Sequence, residues 1–252
     1  MNLSKNNSNK VAIITGGSSG IGKATAIHMA KLGYLVVLVA RNKDRLIEVQ
    51  EQIVTQNGNA VYYTIDITNK EEVKSCIESV IEKYHRIDFL FNNAGVGLVG
   101  TSDISDEAIE QVLQINLKSA IFIAKYVAIH MKEQKFGYII NLSSLSGKVS
   151  SSNLGIYNAS KFGISGFSEA LAKEMAAFGV KVTAICPGMV ATDMTKNFNF
   201  KSEWMIDVND ICQTVEYLLN LGPNALLLEV VINCVPFVLK MVEAEAKIFS
   251  EQ

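Results

Sequence analysis

Seven short runs of apolar, largely β-branched residues punctuate the chain: "VAIIT" (11–15), "YLVVLVA" (34–40), "AVYYTID" (60–66), "IDFLF" (87–91), "GYIINLS" (137–143), "VKVTAIC" (180–186) and "LLEVVIN" (227–233). They are apolar nearly throughout rather than alternating, as expected of strands covered on both faces in a parallel sheet. Helical spacing fills the gaps at about 20–32, 43–57, 69–84, 104–134, 154–178 and 208–221. Strand–helix alternation over the whole length predicts an α/β fold, a single doubly wound parallel sheet of about seven strands with right-handed crossovers. Ligands of such sheets sit beyond the carboxyl ends of the strands, at the switch point of the strand order. The residues that follow each apolar run therefore carry the functional information.

Composition narrows the picture. The chain has 252 residues, 49% of them hydrophobic, enough for one large core. A net charge of −2 gives no electrostatic reason to expect nucleic acid. Cys76, Cys186, Cys212 and Cys234 form no C-x-x-C or His/Cys cluster, so they read as reduced, buried thiols, with no metal expected. Residues 1–9 are polar and read as a flexible arm, 10–235 as the domain, and 236–252 as a helical extension. No apolar run reaches the ~18 residues of a bilayer span, so a cytoplasmic protein without membrane contact is expected.

The first strand runs into "TGGSSGIG" (15–22). Gly16, Gly20 and Gly22 let backbone turn tightly and approach a pyrophosphate, while the following helix offers free N–H groups and its positive dipole end. The spacing is G-x-x-x-G-x-G rather than G-x-G-x-x-G. With Thr15 it resembles the short-chain dehydrogenase/reductase family, whose other motifs follow in order. Asp66 and Ile67 stand after the third strand, "NNAG" (92–95) after the fourth, and Asn116 within "LQINLKS". "INLSSLSG" (140–147), "YNASK" (157–161) and "PGMVAT" (187–192) complete the set. The resemblance covers about residues 11–222 and implies a Rossmann-like fold and nicotinamide chemistry.

Tyr157 and Lys161, at i and i+4, share one helix face. A phenol near pKa ~10 is a poor proton carrier at neutral pH. An ammonium ~4 Å away, at an effective dielectric of ~20, contributes about 4 kcal/mol and would draw it toward neutrality. The resemblance implies that Tyr157 is the general acid/base in hydride transfer between nicotinamide and a carbonyl or secondary alcohol. Lys161 would also hold the nicotinamide ribose, and Ser144, thirteen residues before Tyr157, would bind the substrate oxygen. Ser143 is the weaker choice for that role. Asn116 would kink its helix or hold a water that relays protons from Lys161. The resemblance also places Gly16, Ser18, Ser19, Gly20, Ile21, Gly22, Asp66, Ile67, Asn93, Ala94, Gly95, Pro187, Gly188, Val190 and Thr192 around the cofactor.

After the second strand, "ARNKDR" puts Arg41 where an NAD site commonly carries a carboxylate for the ribose 2′-hydroxyl. A guanidinium there suits a 2′-phosphate, which favours NADP over NAD. Ser19 stands where a second basic residue is often found in the family.

Two segments depart from the family pattern. The stretch between Met194 and the helix near Val208 is short, so Met189, Val190, Met194, Phe198 and Trp204 either border an open pocket or only pack against the domain. The C-terminal segment lacks the D-G-G motif. It could cap the pocket, join a subunit interface or lie on a membrane, the last being weakest because Glu243, Glu245 and Lys247 are mixed in. A homodimer or homotetramer, a small-molecule partner, and a 3-oxoacyl thioester, steroid or lipid-like ketone, or small hydroxy acid as substrate remain the expectations. A nucleotide-binding redox sensor with little catalysis is the competing class.

Overall fold

The computed structural model describes residues 10–196, 200–240 and 242. Seven parallel strands form one sheet in the order β3-β2-β1-β4-β5-β6-β7. They are β1 Val11–Thr15, β2 Leu35–Ala40, β3 Asn59–Thr64, β4 Phe89–Asn92, β5 Gly137–Leu142, β6 Val180–Pro187 and β7 Glu229–Ile232. The helices between them are α1 Gly20–Lys31, α2 Lys43–Thr55, α3 Lys70–Tyr84, α4 Asp106–Leu113, α5 Ala120–Gln134, α6 Gly155–Ala176 and α7 Val208–Asn220. This is the Rossmann-like, doubly wound architecture that the alternation of runs predicts.

Strand period sorts the side chains into two cores. Ile13, Val37, Val39, Leu90, Ile139 and Val182 face α3, α5 and α6, where they meet Ile77, Val127 and Leu171. Their neighbours Ile14, Val36, Leu38, Phe91 and Ile140 face α1, α2 and α7, against Met29, Leu46, Ile53 and Val215. Both faces are covered, which is why the runs are continuously apolar.

Local chemistry sets where the helices begin. The side chains of Asn42, Asn69, Ser105 and Asp207 accept from the first-turn N–H groups of α2, α3, α4 and α7. Helix α1 differs: Ser19 makes no side-chain cap and no acidic residue lies in the first turn, so its N-terminal N–H groups remain available. Between α4 and α5 the backbone takes a π-helical form over Gln114–Ser119, and Asn116 stands in the middle of it. The span Asp106–Gln134 is long and apolar enough to cross a membrane by length and composition, yet half of its most apolar window is buried in the fold.

Strand order reverses between β1, which leads on to β2 and β3, and β4, which leads on to β5, β6 and β7. The site should open at their carboxyl ends. The arm at 1–9, Phe198 and the extension from 243 onward lie outside the described residues. Of that extension, 236–240 are helical, and Lys240 Nζ lies 4.5 Å over the Trp204 ring.

Candidate active site

At the carboxyl ends of β1 and β4 a chain of buried polar groups locks the turns together. Thr15 Oγ1 accepts from the N–H groups of Asn93 and Ala94 at 2.9 and 3.1 Å. Asn93 Nδ2 donates to the Thr15 carbonyl at 2.9 Å. Beneath it Asn92 Nδ2 donates to Asn141 Oδ1 at 3.0 Å, and Asn141 Nδ2 to Ser168 Oγ at 2.9 Å. Thr15, Asn92, Asn141 and Ser168 are buried, so each must find a protein partner, and doing so ties the ends of β1, β4 and β5 to α6. Gly16 adopts φ +65, and a Cβ on Gly22 would run into the Gly16 carbonyl. Gly22→Ala is therefore expected to lower the melting midpoint by roughly 5–10 °C, since overpacking against backbone costs about 1–3 kcal/mol or more. A melt indistinguishable from wild type would show that the turn can yield.

Above these turns lies a cleft with two lobes. The larger, about 550 Å³, is lined by Gly16, Ser18, Arg41, Asp66, Ile67, Ala94 and Gly95, and also by Val39, Ala40, Asn42, Ile65, Val96 and Ile115. The smaller, about 200 Å³, shares Gly16, Ala94, Gly95 and Val96 with it. It is lined by Ser19, Gly20, Ile21, Asn93, Ser143, Ser144, Tyr157, Lys161, Pro187, Gly188, Val190, Thr192 and Met194, with Leu142, Asp193 and Thr195. The elongated double lobe, with the uncapped start of α1 at its waist, fits a dinucleotide whose pyrophosphate lies on the glycine turn. Arg41 is exposed at the rim of the larger lobe and, among the described residues, forms no ion pair. Asp66 Oδ1 accepts from the Thr68 N–H and hydroxyl, both at 2.9 Å, and these bonds, with Arg41 nearby, hold its carboxyl below the usual carboxylate range.

In the smaller lobe Ser144, Tyr157 and Lys161 converge. Ser144 leaves β5 and accepts from the Ser146 N–H at 3.1 Å. Tyr157 keeps part of its surface open to the cleft. Crowding around its phenol raises its pKa above the usual value, and the hydrogen bond with Ser144 pulls the other way. Lys161 is buried, donates from Nζ to the Leu142 carbonyl at 2.9 Å, and lies 5.7 Å from the Tyr157 ring centre. Burial pushes its amine down to about 8, with the Cys186 thiol opposing that weakly.

These positions correct the expectation that Lys161 draws the phenol toward neutrality. The ammonium is turned toward the Leu142 carbonyl, so burial of the phenol outweighs its attraction. Tyr157 is thus protonated at neutral pH, and its pKa lies farther from neutrality than efficient proton transfer favours. Lys161 has a measurable consequence for stability. Its folded value is depressed, so between about 8 and 10.5 the unfolded chain holds a proton that the folded chain has released. Stability from this group rises with pH across that window, by about 3 kcal/mol in all. By urea unfolding of cofactor-free protein, wild type is expected to gain stability relative to Lys161→Met by that order from pH 7 to 10. A gap constant with pH would show that the amine is not depressed.

Other candidates fall elsewhere. Asn116 is buried outside the cleft lining. Its amide accepts from the Val96 N–H and donates to the Val96 carbonyl, both at 2.8 Å, so it pins the turn after "NNAG" from the irregular helix. Gly22 is a packing residue. Met189 does not line the cleft but packs in the α1–α2–α7 core, its carbonyl bound by the Ile206 N–H at 2.8 Å. Trp204 also turns away, edge-on to Phe200 at 5.6 Å, because aromatic and lysine partners lie on that side. Of the proposed pocket residues, Val190 and Met194 border the lobe among the described residues. Of the apolar floor, Val39, Ile65 and Val96 could have been marked only by their position at or after strand ends, whereas Ile115 comes from the irregular helix that carries Asn116.

Residues 10–203 match the family model described as short chain dehydrogenase. The chain belongs to the short-chain dehydrogenase/reductase family. It is an oxidoreductase by that membership. This short-chain dehydrogenase/reductase is 38% identical over 196 residues to a 3-oxoacyl-[acyl-carrier-protein] reductase of Synechocystis sp., covering 75% of this chain and 78% of that one. It is similar to a solved betaketoacyl-[ACP] reductase from Bacteroides thetaiotaomicron, at 35% identity and a TM-score of 0.81, over 92% of this chain and 99% of that one. It is also similar to a metagenomic short-chain oxidoreductase solved in complex with NADP, at 30% identity and a TM-score of 0.81, over 91% and 98% of the two chains.

Proposed function

We propose that the protein is an NADP-dependent reductase of ketones, working reversibly on secondary alcohols. The observation that carries this reading is the meeting of Ser144, Tyr157 and Lys161 in a lobe continuous with one rimmed by Arg41. When bound, the nicotinamide supplies or accepts the hydride. The chain's own groups handle the proton and the charge. Ser144 donates a hydrogen bond to the substrate oxygen as charge develops on it. Tyr157, kept protonated by its surroundings, passes its phenolic proton to that oxygen. Lys161, largely charged at neutral pH, stabilises the phenolate left behind and favours the ribose hydroxyls. Asn116 serves by holding the cofactor-facing turn rather than by touching the substrate.

The relatives support a ketone, since two are named as reductases of 3-oxoacyl or β-ketoacyl groups. The neighbour bound to NADP supports the cofactor. A homodimer or homotetramer is supported by α5, where Phe122, Tyr126 and Ile129 recur at helical spacing, and by Phe162, exposed on α6. A cytoplasmic setting suits the chemistry. The test is side-by-side binding of NADPH and NADH by nucleotide fluorescence, followed by a ketone screen. Preferential NADPH binding with NADPH-dependent ketone reduction is expected. Absence of binding to either nucleotide would overturn the reading.

A further inference from the structure

Glu229 opens β7 behind the cleft and holds two groups at once. Its Oε1 accepts from the Cys186 thiol at 2.8 Å, and its Oε2 pairs with Lys148 Nζ at 2.7 Å. Lys148 follows directly on the short 3-10 turn that Ser144 caps. Cys186 directly precedes Pro187, whose carbonyl lies 3.5 Å from Ser144 Oγ. Inward from the thiol the contacts continue: Cys186 Sγ lies 3.8 Å from Ser165 Oγ, which is 2.8 Å from Ser143 Oγ. Ser143 Oγ in turn donates to the Lys161 carbonyl at 3.0 Å. One carboxylate is thus linked to the segment bearing Ser144, to the wall bearing Pro187 and to the helical turn bearing Lys161.

The chemistry of the links explains why a carboxylate stands there. A thiol is a weak donor, and a charged acceptor is what fixes its direction. Burial and the Glu229 contact push the Cys186 thiol up to about 11, so it remains a donor at neutral pH. The Glu229–Lys148 pair is about a third exposed, and by itself such a pair adds little stability. Its effect is geometric. The Cys186, Ser165 and Ser143 side chains behind it are buried, and a buried network that loses one member has no water to replace it. The charged and titratable groups around Glu229 are Lys148 after β5, the Cys186 thiol on β6 and, acting on Lys148 from α6, Glu169. Lys161 lies beyond Cys186.

We propose that Glu229 is a positioning residue for the reaction: through Lys148, Cys186, Ser165 and Ser143 it holds Ser144 and Lys161 in register with Tyr157. The assignment rests on the reading of those three as the reacting groups. The test uses Glu229→Ala, Cys186→Ala, Cys186→Ser and the double alanine variant, each checked for folding by circular dichroism. Glu229→Ala is expected to lower kcat by roughly 10- to 100-fold, the usual effect of a small displacement of reacting groups. KM for the ketone and the NADPH Kd should stay within about twofold, because neither is touched directly. Cys186→Ala should behave alike, the double variant no worse than either single, and Cys186→Ser, which keeps a donor, should recover most of the rate. An unchanged kcat in folded Glu229→Ala, or fully multiplicative losses in the double variant, would overturn the proposal. If Glu229→Ala does not fold, the Cys186 pair carries the same test.

A second readout needs no turnover. The tyrosinate absorbance of each protein, minus that of its Tyr157→Phe counterpart, follows the ionisation of Tyr157. Ser144 holds that phenol down by its hydrogen bond, so a loosened Ser144 moves the ionisation to higher pH in Glu229→Ala than in the parent. That shift is expected even if no ketone is reduced, an outcome that would sink the proposed function alone. Coincident curves would overturn the positioning role even in an active enzyme.

Discussion

Tyr157→Phe is expected to reduce turnover by about two to four orders of magnitude, the range attributed to a positioned general acid or base. The substitution removes one oxygen and leaves the ring, so the packing around it is kept. Lys161 retains its bond to the Leu142 carbonyl, and the glycine turn and the Arg41 rim are untouched. NADPH binding should therefore stay within about twofold of wild type, and the loss should fall on kcat. Steady-state rates with the best ketone from the screen, beside fluorescence titration with NADPH, separate the two effects. Undiminished kcat would sink the mechanism. Equal loss of binding and rate would instead make Tyr157 a cofactor anchor.

Arg41→Ala should act on the other lobe. The guanidinium is exposed at its rim and has no ion-pair partner among the described residues. A hydrogen bond to a charged group contributes about 1.5–3 kcal/mol. The NADPH Kd is thus expected to rise roughly 10- to 150-fold while that for NADH changes little. With saturating NADPH, kcat should remain near wild type, since the 2′-phosphate lies far along the cofactor from the reacting carbon. Equal effects on both nucleotides would place Arg41 on a phosphate common to both, and would return the cofactor preference to the residues of the floor.

Strand and helix positions were legible because continuous apolar runs and helical spacing are local, and two covered faces leave no other pattern. The run 11–15 coincides with β1, and helices α1, α2 and α7 begin where Gly20, Lys43 and Val208 mark them. The residues that line the cleft were legible for a related reason. They sit at strand ends, and in a parallel sheet every strand end meets at one edge. The side chains that failed are those whose direction no local rule fixes. Met189 and Trp204 lie next to the cleft in sequence, yet core and aromatic partners draw them away from it.

By itself, then, the sequence determined the layered parallel fold, the glycine turn, and the placing of Tyr157 and Lys161 on one helix face, because each depends on residue type and short spacing. Only the tertiary structure decided that the Tyr157 phenol is pushed up rather than down, that Asn116 holds a loop, and that Glu229 reaches Cys186 and Lys148. Those outcomes depend on burial and on bonds between residues more than forty positions apart along the chain in the case of Cys186 and Glu229. Spacing along a chain carries no record of such distances, and packing creates them.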